Sequence, residues 1–231
     1  MAQQWLKTLE KCPLFQEITA EELSCVLDCL QPKIKNYKGR DICITLEGEK
    51  FSGVGVVLSG EVAVTKENVE GNRVMMTKLG AGGLFGEIAA FSGKRVWPAT
   101  VVTLGACHVM FVPINKIVDS CAKHCPSHRQ LILNMLKIVS NRTLMLNRKL
   151  EYLAIKSMRG KISTFLLEQY KKAGQKKFKL SLTRQELADF LNVSRPSLSR
   201  EMCRMRDEGV IEFKRELIEI RDLKALKRAT W

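Results

Sequence analysis

Several features common in other protein classes are absent from this chain of 231 residues. No apolar run approaches the length needed to cross a bilayer, which argues against a membrane-spanning protein. The first residues, MAQQWLKTLEKCPLF, lack the basic, apolar and small-residue order of a secretory signal. We therefore expect a cytoplasmic protein with no membrane partner.

The chain also has no recognisable arrangement of catalytic residues. There is no Ser–His–Asp set, no P-loop, and no carboxylate pair in a context that suits acid–base chemistry. A glycine-rich run at residues 80–83 suggests a turn, and no helix that would carry a phosphate site follows it. We therefore expect a protein without enzymatic activity.

Acidic residues are few beside the basic ones, with 24 Asp and Glu against 38 Lys and Arg and a formal net charge of +14. Such an excess favours polyanions through counterion release, and it suits either nucleic acid or an anionic membrane surface. Residues 151–231 hold 19 of the basic and 11 of the acidic residues. The C-terminal third is therefore the candidate region for binding nucleic acid.

The eight cysteines do not indicate a disulfide framework, because a reducing compartment keeps thiols reduced. Most are expected to be buried and to pack as small apolar residues. Cys25 and Cys29, like Cys121 and Cys125, are one helical turn apart, but a disulfide between such neighbours is strained in a regular helix. A thiol switch is therefore the weaker alternative to inert cysteines.

Four potential metal ligands fall within eight residues just before the predicted central helix. Thiolates and imidazoles suit zinc or iron, although the spacing matches no established zinc pattern. A metal or haem site therefore stays open as an alternative. The candidate ligands are Cys121, His124, Cys125 and His128.

The first half of the chain has the texture of a small β-barrel or roll. Thr19, with Glu22 three residues later, predicts a helix that starts with a capping box. From about residue 37 to residue 115, short β-branched runs then alternate with glycines. The predicted strands are Ile42–Leu46, Val54–Leu58, Val62–Lys66, Arg73–Leu79, Thr100–Leu104 and Cys107–Val112.

Residues 127–155 predict a long helix, because they lack glycine and proline and carry apolar residues at spacings of three and four. Two apolar stripes indicate two partners, the barrel on one side and a second copy of the helix on the other. The alternative is a helix that is simply buried in its own domain.

Residues 183–208, TRQELADFLNVSRPSLSREMCRMRDE, predict two short helices that meet at a tight turn. Ser194 is placed to cap the second helix, and Pro196 falls in its first turn, where a missing N–H costs nothing. The residues that would pack the two helices together are Leu187, Ala188, Leu191, Leu198, Met202 and Met205.

Burying that stripe leaves a basic face on the second helix, as a helix in the major groove of DNA requires. Arg200 has the fork geometry to hold O6 and N7 of guanine, while phosphates and other base edges suit Arg195 and the serines. Residues 210–221 alternate apolar and polar, which predicts a hairpin and hence a wing. The predicted DNA-binding residues are Arg195, Ser197, Ser199, Arg200 and Arg204.

The sequence resembles the Crp/Fnr family of bacterial transcription regulators over nearly its whole length. The resemblance rests on Leu46–Glu49, Val57–Val62, Leu79–Phe91 and Leu182–Glu208. It implies an α+β fold, with an N-terminal β-roll like the jelly roll of cyclic-nucleotide-binding domains, a long dimerisation helix and a C-terminal winged helix-turn-helix. The implied segments are an effector-sensing domain at 1–126, the dimerisation helix at 127–155 and the DNA-binding domain at 156–231.

The resemblance also implies a homodimer that binds palindromic double-stranded DNA through a recognition helix at about 194–208, and contact with RNA polymerase. Family members often carry a glutamate near the start of this helix that reads a base, and here Pro196 holds that place. Ser199 and Arg200 match the family's base-reading residues. We therefore expect the guanine contact of Arg200 to be kept and the base read by the glutamate to be specified differently.

In the cyclic-nucleotide binders of this family, an arginine and a Ser or Thr just before an alanine hold the cyclic phosphate. This chain has Trp97 and Pro98 before Ala99, and proline offers neither an N–H nor a hydroxyl. The hydroxyl pair expected on the central helix is replaced by Leu146 and Asn147. A buried phosphodiester would lack donors, so the resemblance argues against cyclic AMP as the effector.

We expect instead an unidentified small effector, held in an apolar pocket with one cation. Trp97 is equally well explained as an ordinary core residue. A redox-, metal- or haem-dependent sensor with the same DNA-binding half is the alternative function. The predicted pocket residues are Leu84, Phe85, Gly86, Glu87, Arg95, Trp97, Arg142 and Leu146.

Overall fold

The computed structural model describes residues 3–51, 53–68, 70, 73–118 and 126–230. The chain divides into two compact units, Met1–Arg142 and Thr143–Trp231. The boundary between the units falls inside the long helix, whereas the segments expected from the sequence end at the ends of that helix. The segment bounds 1–126, 127–155 and 156–231 stay a prediction.

The first unit begins with short helices. These are a 3-10 turn at Gln3–Trp5, α1 (Leu6–Leu9), a second 3-10 turn at Pro13–Phe15 and α2 (Ala20–Leu30). The predicted capping box at the start of α2 is confirmed, because the Glu22 N–H donates to Thr19 Oγ at 3.3 Å and the Thr19 N–H donates to the Glu22 carboxylate at 3.0 Å.

Two antiparallel four-stranded sheets form the roll that follows, in the orders β1-β8-β3-β6 and β2-β7-β4-β5. The six predicted strands are confirmed, while β1 and β6 were not predicted, since the first is mostly polar and the second has two residues. The strands are β1 (Lys33–Tyr37), β2 (Arg40–Thr45), β3 (Val54–Ser59), β4 (Val62–Glu67), β5 (Arg73–Leu79), β6 (Leu84–Phe85), β7 (Thr100–Leu104) and β8 (Cys107–Val112).

Alternation along the strands of the first sheet gives the roll two apolar clusters. Val56 and Leu58 of β3 pack with the N-terminal helices, whereas Val57 between them belongs to a cluster drawn from both sheets. Short helices α3 (Glu87–Ala90) and α4 (Ile114–Val118) follow β6 and β8.

The predicted long helix is confirmed as α5 (Pro126–Ala154), a continuous helix of 29 residues. Leu131 and Met135 are buried against the N-terminal helices, and the half-buried Ile138 continues their stripe. Asn134 lies in the same stripe and donates to the backbone carbonyls of Leu14 at 3.1 Å and Gln16 at 2.6 Å. The apolar residues that remain exposed on α5 are Leu133, Leu136, Leu144, Met145, Leu146, Leu150 and Leu153.

The second unit is a winged helix-turn-helix, as predicted. Its elements after α5 are α6 (Met158–Ala173), β9 (Lys177–Lys179), α7 (Arg184–Phe190), α8 (Arg195–Asp207), β10 (Ile211–Lys214), β11 (Leu217–Ile220) and α9 (Leu223–Arg228). The predicted hairpin is β10–β11, and β9, which was not predicted, pairs with β11 to make a third strand. Within the described ranges, no helix combines the length and the apolar character needed to cross a membrane.

Candidate nucleic-acid interface and effector site

The two helices at the candidate interface are each started by a side-chain cap. Thr183 and Glu186 form a capping box at α7, and the Ser197 N–H donates to Ser194 Oγ at 3.3 Å at α8. Between the helices, Asn192 adopts a left-handed conformation with φ 52°, which asparagine tolerates better than most residues. These local features fix the tight turn that the sequence predicted.

The predicted packing stripe of the helix pair is confirmed. All six residues are at most 1% exposed, and they belong to the core cluster of the second unit. α8 therefore has one face that is fully committed to packing. Its remaining surface is available for contacts outside the unit.

The structure brings the predicted DNA-binding residues together on the outer side of α8. Arg195, Arg200 and Arg204 are exposed, while Ser197 and Ser199 are half-buried. Pro196 is exposed in the first turn and precedes Arg200 by one helical turn, on the same face. The outer face of α8 is thus basic, and an N-terminal helix end of this kind can enter a major groove.

The two serines of the first turn make contacts within the protein. Ser194 Oγ donates to Ser197 Oγ at 2.8 Å, and Arg200 Nη2 donates to the same oxygen at 3.4 Å. The Ser197 hydroxyl therefore contacts both the N-cap serine and the guanidinium of Arg200.

Arg159 of α6, which was not predicted as a functional residue, forms ion pairs with Glu201 of α8 and with Glu208 at its C-terminal end. Arg159 Nε donates to Glu201 at 2.7 Å, and its two terminal nitrogens donate to Glu208 at 2.6 and 2.8 Å. Because these hydrogen bonds stabilise the carboxylate, they lower the pKa of Glu208. Glu201 also lies 3.6 Å from the guanidinium of Arg204. No sequence pattern marks a pairing over such a separation.

Two further arginines pack on the wing. The guanidinium of Arg184 lies 5.1 Å from the ring centroid of Phe213, and that of Arg206 lies 5.6 Å from it. Arg184 also contacts Met202 Sδ, and burial lowers the pKa of its guanidinium. The ring of β10 is therefore joined to both helices of the pair, which orients the wing.

Trp97 fills the space between the two sheets of the roll. It is 3% exposed, and its ring centroid lies 4.8 Å from that of Phe51 and 6.0 Å from that of Phe85. A Cβ on Gly86 would lie 2.6 Å from the Trp97 ring, so glycine at this position makes the close packing possible. The interpretation of Trp97 as a core residue matches this geometry.

Arg142 and Glu87, both predicted for the effector pocket, form an ion pair. Arg142 Nε lies 3.1 Å from a carboxylate oxygen of Glu87, whose side chain is 5% exposed. The pair joins α3 to α5 within the first unit. The Arg142 side chain is 42% exposed, whereas the carboxylate side chain is buried.

Three of the residues expected in the pocket lie elsewhere. Leu84 points into the cluster that contains the N-terminal helices, because it precedes Phe85 on β6 and faces the opposite side of the sheet. Arg95 is exposed at a left-handed turn with φ 47°, and its carbonyl accepts from the Phe51 N–H. Leu146 is 57% exposed and belongs to the second unit.

Of the four candidate metal ligands, the structure describes His128. Cys121, His124 and Cys125 lie outside the described residues. His128 is 8% exposed and donates from Nε2 to the carbonyl of Lys116 at 2.7 Å, which is a structural contact. Among the residues that the structure describes, no group of three or more His, Cys, Asp or Glu is arranged to hold a metal ion.

The described thiols for which a shift is resolved are poor nucleophiles. Burial raises the pKa of Cys12 to about 12 and also raises the pKa of Cys43 and Cys107. A thiolate is the reactive form of cysteine, so a raised pKa disfavours a thiol switch at these residues, of which Cys12 and Cys107 are also buried. Cys25 is exposed and Cys29 half-buried, both on α2.

Comparison with known families matches both units separately. Residues 35–124 match the model of the cyclic nucleotide-binding domain, and residues 160–229 match the model of the Crp-like helix-turn-helix domain. The order of the two matches along the chain is that of the roll and the winged helix-turn-helix.

Individual relatives are distant but collinear with the chain. The CRP-like cAMP-activated global transcriptional regulator of Mycobacterium tuberculosis is 22% identical over 226 residues, which covers 95% of this chain and 97% of the relative. The catabolite activator protein of Thermus thermophilus is similar in structure, with a TM-score of 0.54 and 20% identity over 94% of this chain and 98% of that one. The c-di-GMP responsive regulator CLP of Xanthomonas campestris has a TM-score of 0.52 and 18% identity, over 88% of this chain and 100% of that one.

Proposed function

We propose, from the premise that this chain belongs to the Crp/Fnr family of DNA-binding transcription regulators, that it acts as a cytoplasmic homodimer on a palindromic operator. In this proposal the roll responds to a small effector that is not a cyclic nucleotide, and the DNA-bound dimer contacts RNA polymerase. Its role is regulation and includes no catalytic step.

The observation that carries the proposal is the outer face of α8. Its packing stripe is completely buried, and Arg195, Arg200 and Arg204 extend from the opposite side. A guanidinium can hold O6 and N7 of guanine together, and the remaining arginines suit phosphates. The assignment of Arg200 to guanine and of Arg195 and Arg204 to the DNA backbone is part of the proposal.

The exposed side of α5 supports a dimer. Leu136, Leu146, Leu150 and Leu153 are 50–62% exposed, and with Val139 and Thr143 they follow alternating spacings of three and four. Such a stripe is the seam of a left-handed coiled coil, in which a second copy of the helix buries each apolar side chain. Two recognition helices related by a two-fold axis require an operator with the same symmetry.

The geometry of the roll supports an effector other than a cyclic nucleotide. Trp97 occupies the interior, Pro98 supplies no donor, and Arg95 is exposed, with its carbonyl accepting from the Phe51 N–H. A cyclic phosphate between the sheets would have to displace the indole and would find few hydrogen-bond donors. The Glu87–Arg142 pair is the polar feature that such an effector would meet at α5.

The proposal is tested by selecting binding sites for the full-length protein from a random pool of DNA duplexes. We expect the enriched duplexes to share a two-fold symmetric sequence with guanine in each half-site, and cyclic AMP to leave their affinity unchanged. Asymmetric sites, or affinity that rises strongly with cyclic AMP, would contradict the proposal.

The dimer is tested independently by sedimentation. Leu150→Glu places a charge in the coiled-coil stripe, so we expect a monomer that no longer binds the selected duplex. Asn141→Glu is the matched control, because Asn141 is exposed on the same helix but outside the stripe. A Leu150→Glu protein that stays dimeric would place the seam elsewhere.

A further inference from the structure

The first turn of α8 presents few polar groups to a partner. The hydroxyl of Ser194 is occupied by the cap and by its bond to Ser197, and Ser197 Oγ also accepts from Arg200. Pro196 has neither a side-chain donor nor a backbone N–H. Hydrogen bonds to bases from this turn are therefore left to the arginines.

The carboxylates of α8 are also occupied. Glu201 and Glu208 are both held by Arg159, with nitrogen–oxygen distances between 2.6 and 2.8 Å. Asp207 accepts from Arg206 at 2.9 Å. A carboxylate is the side chain suited to accept from N4 of cytosine, and each carboxylate on or next to α8 has an arginine partner instead.

What remains at the groove-facing tip is the exposed pyrrolidine ring of Pro196, flanked by two cations. Pro196 and Arg200 lie on the same face, one turn apart, so a base beside the guanine of Arg200 meets the ring. The apolar group that DNA displays in the major groove is the C5 methyl of thymine. An apolar ring and a methyl group gain by excluding water from each other.

We propose that Pro196 determines specificity by contacting a thymine methyl next to the guanine of each half-site. This inference rests on the proposed function, since it requires α8 to lie in the major groove. It predicts that each half-site prefers thymine at that position, through contact with its methyl group rather than through a hydrogen bond.

The test replaces each thymine of the selected duplex by deoxyuridine, which lacks only the methyl group. For the wild-type protein we expect one thymine per half-site at which affinity falls about fourfold, the factor that corresponds to one methyl group removed from an apolar contact. At that position 5-methylcytosine is expected to bind more tightly than cytosine, because it restores the methyl.

Two variants identify the side chain that senses the methyl. Pro196→Ser should bind the thymine and deoxyuridine duplexes equally, and Pro196→Glu should shift the preferred base toward cytosine by supplying an acceptor for N4. Circular dichroism and the unfolding midpoint establish that both variants fold. Asn141→Glu, which lies on α5 outside the unit that contains α8, is the control variant, and its ratio of thymine to deoxyuridine affinity should match the wild-type ratio.

The outcomes separate this inference from the function on which it rests. If no symmetric site is enriched at all, the proposed function fails. If a symmetric site is enriched and Arg200→Ala relaxes its guanine, but no thymine shows a methyl effect, the assignment of Pro196 alone is wrong. A methyl effect that persists unchanged in Pro196→Ser also overturns the assignment.

Discussion

The two halves of this molecule use their chemically distinctive side chains in opposite ways. In the roll, Trp97 lies between the sheets at 3% exposure, and the carboxylate of Glu87 is buried beside Arg142. In the winged helix-turn-helix, the arginines of α8 extend outward from a core that they do not help to fill. Residues 143–231 carry 21 basic and 11 acidic residues, whereas residues 1–142 carry 17 and 13.

This difference shows how each half can change its specificity. On α8 the packing residues and the exposed arginines lie on separate faces, so Pro196 in the first turn leaves the core unaltered. In the roll, Trp97 and Phe85 of the predicted pocket are themselves part of the packing. Under the proposed function, a change of ligand there would therefore also be a change of core.

The largest effect on the comparison between the two halves is expected when the Trp97 ring is removed. Trp97→Ala leaves a large cavity between the sheets, and we expect the unfolding free energy of the roll to fall by about 3–5 kcal/mol. Chemical denaturation followed by circular dichroism should show two transitions, of which only the one that belongs to the roll moves. Trp97→Phe should retain most of the stability.

A small effect of Trp97→Ala would mean that the interior of the roll tolerates empty space. In that case the roll would be a preformed ligand site, and the contrast with α8 would disappear. Binding of the selected duplex by the variant measures whether the damage stays within the roll.

The next largest effect is expected on DNA binding by the winged helix-turn-helix. Arg200→Ala should cost about 1–3 kcal/mol of specific DNA binding and relax the preference at one position of each half-site. Arg204→Ala is the matched comparison, because loss of a phosphate contact should weaken binding to all sequences and reduce the salt dependence by about one ion. Unchanged operator preference in Arg200→Ala would show that another residue reads the guanine.

The helix pair was predictable from the sequence because its determinants are local. Caps, the proline in the first turn and apolar spacings of three and four all fall within 26 residues, at positions 183–208. The structure confirms the cap of α8 and every residue of the packing stripe, and it adds a capping box at α7 that was not predicted. The bases that these residues contact stay a prediction.

The roll was predictable in outline, but its interior was not. Six strands follow from β-branched runs and glycines, whereas β6 is too short to form a pattern. The pairing of strands far apart in the chain decides which face each residue occupies, so Leu84 and Phe85 were not separable by sequence alone. For the same reason the contacts of Arg159 with Glu201 and Glu208, over 42 and 49 residues, left no local signal.

A smaller effect is expected from the Arg159 cluster in the second unit. Arg159→Gln leaves Glu201, at 13% side-chain exposure, without its closest cation, and we expect a loss of about 1–2 kcal/mol from the second transition only. Arg204 is then the remaining cation beside Glu201. Since the proposal assigns Arg204 to the DNA backbone, its pairing with Glu201 should weaken binding to all duplexes. The double variant Arg159→Gln, Glu201→Gln should recover most of that affinity.

If the double variant binds as weakly as Arg159→Gln, the arginine acts by orienting α8 and its role as a counter-ion is wrong. The two halves would then be more alike, since the Arg159–Glu201 pair would orient α8 as the Glu87–Arg142 pair joins α3 to α5.

The smallest expected effects come from the two capping boxes, which allow a matched comparison because each half contains one box made of a threonine and a glutamate. Thr19 caps α2 and Thr183 caps α7, with Glu22 and Glu186 as their reciprocal partners. Replacing either threonine by alanine removes a cap, and we expect a loss of about 1 kcal/mol from the transition of that half alone. Denaturation of the two variants side by side measures this.

The same boxes predict how each half responds to acid. Hydrogen bonds from the threonine backbone N–H and hydroxyl lower the pKa of Glu22 and of Glu186. A carboxylate with a lowered pKa in the folded state contributes stability above its ordinary pKa and loses that contribution as the pH falls through the folded value. Glu22→Gln should therefore flatten the acid side of the stability profile of the roll, and Glu186→Gln that of the DNA-binding unit. A variant that flattens both profiles would show that the halves unfold together, because independent units respond only to their own cap.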